Sequence, residues 1–344
     1  MSKKGRYKVG IIGCGAILPR HLEAINECSE DYELVALCDN NKKRLDLNSK
    51  EFNVPGFLDY KDMLKEMKGS MNFVSVCTPN SLHYQQAIDS IRSGCHVLVE
   101  KPIDFTSRRA FEIVNEAKKH NVESYAVLQV RYNNVVEVLE RVVDQKLLGT
   151  IRSVSLIQRW QRPHEYFESW RADKEIGGRT LYEVGIHYVD IMQWVFGVPK
   201  VIASASFSNK HKHVSFEDTV FAILEFPDGA SGSLEVTIAS EPSNLECSLS
   251  IMGSLGYIKL GGRALDTIEQ ASFLSESLNR KWDKISRVQK PTIEANSYGL
   301  YRGSCPNHSM VYKNIALGEG ILLKEAIGSI KFIEEIYKNE IQGP

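Results

Sequence analysis

The chain is expected to be an α/β protein of two domains, a doubly wound parallel sheet followed by an α/β domain with a mostly antiparallel sheet. Three observations predict this. Up to about residue 125, short runs that are apolar throughout alternate with longer helix-like stretches; such runs fit strands covered by helices on both faces. Beyond about residue 130 the strand candidates alternate in polarity instead, as half-buried strands do. A glycine turn, Gly13-Cys14-Gly15, closes the first apolar run, and Glu100-Lys101-Pro102 closes another. With 344 residues, the chain is long enough for two separate cores.

The expected strands of the first half are Val9-Ile12, Leu34-Cys38, Phe73-Cys77, His96-Val99 and Tyr125-Leu128. Between them lie helical stretches at Arg20-Cys28, Lys42-Phe52, Ser81-Ser93 and Ser107-Lys119, with Asn80-Ser81 and Thr106-Ser107 as capping choices. The division is expected at residue 128, giving domains 1–128 and 129–344. In the second domain Arg131-Asp144 reads as helix and Ile151-Gln161 as a long strand. Val201-Ser208, Thr219-Phe226 and Ala230-Ala239 follow as strands, the last two joined as a hairpin by Pro227-Asp228-Gly229. Leu249-Met252 and Tyr257-Leu260 make another strand pair. Glu276-Gly303 is polar and is expected to be loop; Ser309-Asn339 is helical in pattern.

Composition excludes several classes. A chain 43% hydrophobic and 25% charged is an ordinary globular one, and a net charge of -1 supplies no basic field for nucleic acid. The N-terminus lacks a secretory leader and no run of ~18 uncharged apolar residues occurs, so a cytoplasmic protein without a membrane partner is expected. The seven cysteines are scattered and never spaced as metal ligands, and read as reduced thiols. His211-Lys212-His213 lacks a third ligand, so no metal is expected.

Gly13 and Gly15 occupy the first two positions of the dinucleotide fingerprint, where the turn is tight and backbone approaches a pyrophosphate. Leu18 stands at the third. Asp39, 24 residues beyond Gly15 at the end of the second strand, suits the adenosine ribose and repels a 2′-phosphate, which favours NAD. Lys42, Lys43 and Arg44 lie close by. Thr78, Pro79 and Asn80 end the third strand where a cofactor would cross the sheet, with His83 just after. Lys101 projects from a strand's carboxyl edge, where a lysine of lowered pKa can take a hydroxyl proton as hydride leaves the same carbon. Glu100 is suited to the nicotinamide ribose, and a cis bond at Pro102 would aim Lys101. In the second half, Glu183 and His187 share a helical face with Asp190 and Trp194, so the carboxylate can orient the imidazole.

Val9-Gly-Ile-Ile-Gly-Cys-Gly-Ala-Ile17, Ser75-Val-Cys-Thr-Pro-Asn-Ser-Leu-His83, His96-Val-Leu-Val-Glu-Lys-Pro102 and Glu183-Val-Gly-Ile-His187 resemble, in order, the motifs of the glucose-fructose oxidoreductase, inositol dehydrogenase and MocA family. The resemblance implies an N-terminal Rossmann domain over 1–128 and a substrate-binding and oligomerisation domain with an open sheet over 129–344, assembled as dimers or tetramers. It implies Lys101 and His187 as the catalytic pair, with Glu183 beside them. Ala16, Ile17 and Gln129 complete the expected NAD contacts. The second domain is similar to UDP-N-acetylglucosaminuronate 3-dehydrogenases of surface-polysaccharide pathways, through Trp160-Gln-Arg-Pro163, Tyr166, Trp170-Arg171, Glu217-Asp218-Thr219, Asn244-Leu245-Glu246 and Gly261-Gly262. Close relatives of these use UDP-N-acetylglucosamine. Arg159, Arg162 and Arg171 are suited to a pyrophosphate or carboxylate; Tyr166, Tyr298, His308 and Tyr312 are further candidates for the nucleotide sugar. The rivals are another sugar or inositol dehydrogenase, a glycoside hydrolase of the same fold that retains NAD, and a non-catalytic dinucleotide sensor.

Overall fold

The computed structural model describes residues 5–287 and 307–341, and the chain divides into two compact units. The first comprises the described residues up to Leu128 together with Asn307–Ile327; the second holds the remainder. The segment 307–327 therefore joins the first unit, whereas the sequence pattern places everything past 128 in the second.

In the first unit, β1 (Tyr7–Ile12), β2 (Tyr32–Cys38), β3 (Gly56–Phe57), β4 (Phe73–Val76), β5 (His96–Val99) and β6 (Ser124–Ala126) form one sheet in the order β3-β2-β1-β4-β5-β6. Every pairing is parallel, and this order is that of the dinucleotide-binding doubly wound fold, with its switch point between β1 and β4. Helices α1 (Leu18–Glu27), α2 (Lys42–Phe52), α3 (Tyr60–Glu66), α4 (His83–Arg92) and α5 (Ser107–Lys119) connect the strands. Thr106 caps α5 as expected, its hydroxyl accepting from the Arg109 N–H. Asn80 and Ser81 do not cap α4: Asn80–Leu82 is a 3₁₀ turn and the helix starts at His83.

The second unit contains α6 (Asn134–Asp144), β7 (Ile151–Arg159), α7 (Ile186–Phe196), β8 (Lys200–Phe207), β9 (Thr219–Glu225), β10 (Ser231–Thr237), β11 (Glu246–Gly253), β12 (Gly256–Gly261), β13 (Thr267–Phe273) and α8 (Glu276–Ser286). Its seven-stranded sheet runs β13-β12-β11-β7-β10-β9-β8. The β7–β10 pair is parallel and the other pairs are antiparallel. Alternation along β7 buries Val154, Leu156 and Gln158 and turns Ser155, Ile157 and Arg159 to the opposite face. Helix α8 occupies the start of the stretch expected to be loop: Ser275 caps it and Ile285 buries its apolar side. The remainder of that stretch lies outside the described residues.

The helical pattern near the C-terminus resolves into α9 (His308–Leu317) and α10 (Leu323–Lys338), interrupted where Gly318 takes a left-handed conformation. Tyr312 of α9 is fully buried, and the Tyr32 hydroxyl donates to its carbonyl at 2.8 Å. That bond and the 5.0 Å ring contact of the two tyrosines fasten α9 into the first unit. Among the described residues no helix is long and apolar enough to cross a membrane.

Candidate active site

The glycine turn after β1 shows what each glycine is for. Gly13 has φ +103°, and a Cβ there would lie 2.6 Å from the Cys77 carbonyl oxygen, so the turn fits against the end of β4 only without a side chain. A Cβ on Gly15 would meet nothing within 4 Å. Space is left open at Gly15, where a pyrophosphate needs close backbone approach. Ala16 and Ile17 lead into α1, and Leu18, at the third fingerprint position, is its buried first residue.

Asp39 follows β2, with a carboxylate that receives four donors. Oδ2 accepts from the Cys14 N–H at 2.8 Å and Arg44 Nε at 3.0 Å; Oδ1 accepts from the Asn41 N–H at 2.8 Å and Arg44 Nη2 at 2.9 Å. Burial alone would raise its pKa, but Arg44 and the two backbone donors outweigh it and hold the group below the usual range. Burial, reinforced by the Asp39 charge, pushes the Cys14 thiol up to about 12, so it stays protonated.

At the end of β4, the Thr78 hydroxyl donates to Gln86 Oε1 at 2.6 Å. Pro79 leads into the buried Asn80. His83, completely buried, lies between two turns, with Nε2 2.8 Å from the Thr78 carbonyl and Nδ1 2.7 Å from the Pro102 carbonyl. The Lys101–Pro102 bond is cis. Lys101 is half-buried.

Glu100 is a second buried acid of this unit held by several donors. Its Oε1 lies 3.0 Å from His21 Nε2 and 3.2 Å from His308 Nε2, and its Oε2 accepts the Lys101 N–H at 3.1 Å. Burial alone would raise its carboxyl pKa, but the two histidines hold it well below the usual range. Burial pushes the His21 pKa down, more than the Glu100 contact restores. The carboxylate that sequence assigned to the nicotinamide ribose is thus held by histidines of α1 and α9. His308, expected at the sugar, belongs to this cluster, and Tyr312 joins it through a 2.8 Å contact with His21 Nδ1.

In the second unit, Leu181–Gly185 forms one turn of π-helix ahead of α7. The regular four-residue spacing from Glu183 to His187 is therefore interrupted, and such turns are common at functional sites. Glu183 Oε1 accepts from the Tyr166 hydroxyl at 2.5 Å and Arg171 Nε at 3.1 Å. His187 is buried on the first turn of α7. Three residues later Asp190, rather than extending an open polar stripe, takes Arg131 in a buried two-bond pair of 2.7 and 2.8 Å. Ser329 donates to it at 2.7 Å, so the helix carrying His187 is firmly anchored.

The three candidate arginines separate. Arg159, on the outer sheet face, is bound to Glu235 and Glu246 at 2.6 to 2.8 Å. Arg171 lies over Trp170 and Tyr166, 4.4 and 4.9 Å from the ring centres. Arg162 lies 5.0 Å from Trp160 and 5.2 Å from Tyr166, only 6% exposed. Its Nη1 donates to the Gln161 carbonyl at 2.9 Å, and its Nε has no hydrogen-bond partner among the described residues. Gln129, in the second unit, likewise buries an Oε1 without a partner among them. Sequence reasoning missed His21 and Arg131, whose partners lie far along the chain. Tyr298 lies outside the described residues.

Residues 7–128 match the family described as an oxidoreductase family with an NAD-binding Rossmann fold, and residues 136–259 match the GFO/IDH/MocA C-terminal domain. The chain belongs to the GFO/IDH/MocA family. Its first unit is an NAD-binding Rossmann domain. The structure is similar to that of the WlbA dehydrogenase from Bordetella pertussis in complex with NADH and UDP-GlcNAcA, with 26% identity and a TM-score of 0.86 over 97% of this chain and 96% of that one. In sequence, D-glucoside 3-dehydrogenase of Escherichia coli (strain K12) is 29% identical over 254 residues, 67% of this chain and 70% of that protein. Levoglucosan dehydrogenase of Pseudarthrobacter phenanthrenivorans is 23% identical over 236 residues, 61% and 60% of the respective lengths.

Proposed function

We propose that this oxidoreductase oxidises the C3 hydroxyl of a UDP-linked N-acetylhexosamine or its uronate to a 3-keto sugar, in the making of amino sugars for surface polysaccharides. The observation that carries the reading is Arg162. A buried guanidinium normally faces a carboxylate, and this one has only a carbonyl among the described residues. A pyrophosphate or uronate supplies the missing counter-charge in a form that guanidinium binds well. Arg171 and Tyr166 add polar groups beside it. The 3-dehydrogenase relatives and the WlbA complex support the same chemistry and the same ligand class.

NAD, held by the first unit, would supply the acceptor for the hydride leaving C3. The hydroxyl proton passes to one member of the pair Lys101 and His187, while the other donates to the developing oxyanion, and the C3–O bond becomes a carbonyl. Glu183 is assigned to the sugar beside them. Gly13, Gly15, Ala16, Ile17, Asp39, Thr78, Pro79, Asn80, His83 and Gln129 are assigned to the cofactor side. Exposed Phe207, Phe221 and Ile223 on the outer sheet face are the proposed contact for a dimer or tetramer.

A second reading, oxidation of an uncharged glucoside, is favoured by the 29% identical relative. The test is incubation with NAD and, separately, UDP-N-acetylglucosaminuronate, UDP-N-acetylglucosamine and a simple glucoside, with mass spectrometry of the products. A UDP-sugar lighter by two hydrogens, formed with equimolar NADH and lost by a factor of ~10²–10⁴ in Lys101→Ala, is expected. Turnover of the glucoside alone would overturn the nucleotide-sugar assignment. Release of free UDP or an aglycone without net NADH would point to the hydrolase.

A further inference from the structure

The Glu100-Lys101-Pro102 turn is gripped from two sides by buried histidines of the same unit. On the Glu100 side, the carboxylate meets His21 and His308 and also accepts the Lys101 N–H. On the Pro102 side, the carbonyl meets His83, whose other nitrogen faces the Thr78 carbonyl. The proton placement on the Glu100 side is consistent. Both imidazoles donate from Nε2, the Tyr312 hydroxyl then donates to His21 Nδ1, and Ser75 donates to the Tyr312 oxygen, each at 2.8 Å. The acceptor Nδ1 of His308 alone lacks a partner among the described residues.

These three ligand atoms lie within 4.8 Å of one another, a spacing that a metal ion can also use. In the bonding just described, however, both Nε2 lone pairs are replaced by N–H donors, and the ionised Glu100 is already compensated. The cluster works as a hydrogen-bonded clamp. Its members come from α1, directly after the glycine turn, from α9, which returns to this unit late in the chain, and from the first residue of α4.

We propose that His21, His308 and His83 are positioning residues that fix the backbone of Lys101, and hence the origin of its amine, through Glu100 and Pro102. The inference deepens the proposed function and rests on its assignment of Lys101 to proton transfer. Lysine reaches its target through a four-carbon stem, so an unfixed backbone would spread the amine over many positions, and small misplacements of reacting groups are costly.

The test compares His308→Gln with His308→Asn in the full chain. Both are neutral amides, but only the longer side chain carries its NH₂ where Nε2 stands. The readouts are hydrogen–deuterium exchange of the Lys101 amide, steady-state kinetics with NAD and UDP-N-acetylglucosaminuronate, NADH affinity and melting temperature. His308→Asn is expected to speed Lys101 amide exchange about tenfold and to lower kcat ~10–100-fold, with both KM values and NADH affinity within about twofold of wild type. His308→Gln is expected to restore exchange and kcat to within about threefold. Should the Asn variant not fold, His21→Gln and His21→Asn make the same comparison from α1. Unchanged Lys101 exchange in the Asn variant, equal kcat losses in both variants, or stoichiometric metal in purified wild-type protein would overturn the proposal. If wild type turns over none of the sugar, the functional reading fails, while amide exchange still decides whether the histidines fix Lys101.

Discussion

Glu100 and Arg162 are both buried charges, one in each unit, and their surroundings are opposite. Glu100 in the first unit is met by three donors, whereas Arg162 in the second has aromatic faces and one carbonyl. A charge taken out of water is stabilising only when its partners replace the lost hydration. Glu100 is therefore a structural anion that organises its own turn, and Arg162 is a cation whose partner is expected to arrive with the ligand.

The comparison can be broken by neutralising each charge. Glu100→Gln leaves an amide NH₂ facing donors and is expected to cost about 2–3 kcal/mol of stability, measured by denaturant unfolding with NAD absent. Arg162→Met removes an uncompensated charge and is expected to leave the melting temperature no lower than wild type. The same variant should raise KM for UDP-N-acetylglucosaminuronate ~10–100-fold, the worth of one charge-assisted bond, with KM for NAD unchanged. A large stability loss in Arg162→Met would show that the guanidinium has an internal partner.

A smaller effect sharpens the same contrast through pH. Burial lowers the pKa values of His21 and His211 below the usual 6.5, so below that value the unfolded chain binds more protons and stability falls. Glu100, Asp39 and Asp218 are held below their usual values despite burial. Their contribution is present above the unfolded carboxylate range and lost as pH falls through their folded values. The melting temperature is therefore expected to decline by a few degrees from about pH 7 to about pH 5, and steeply below pH ~4. A melting temperature that rises on acidification would contradict the neutral assignment of His21.

Local pattern carried much of this fold. The apolar runs located β1, β2, β4, β5 and β6, and α2 and α5 have the expected bounds, because strand burial and helix capping depend on near neighbours. The tight glycine turn after β1 was legible for the same reason. What stayed hidden depends on distant partners. Nothing near His308 shows that it meets Glu100, 208 residues away. The π-helical turn at Leu181–Gly185 interrupts a pattern that reads as regular helix, and α8 is too polar to announce its buried Ile285. Of the three arginines, only the fold distinguishes Arg159, spent on two glutamates of neighbouring strands, from Arg162, which meets no carboxylate among the described residues.

The most direct measurement of the central claim uses UDP-N-acetylglucosaminuronate carrying deuterium at C3, incubated with the enzyme and NAD. The account predicts that the deuterium appears in the reduced cofactor as the 3-keto sugar forms, with Lys101→Ala and His187→Ala each suppressing the transfer. Deuterium that remains in the sugar, or passes to water without reduced cofactor, would contradict it.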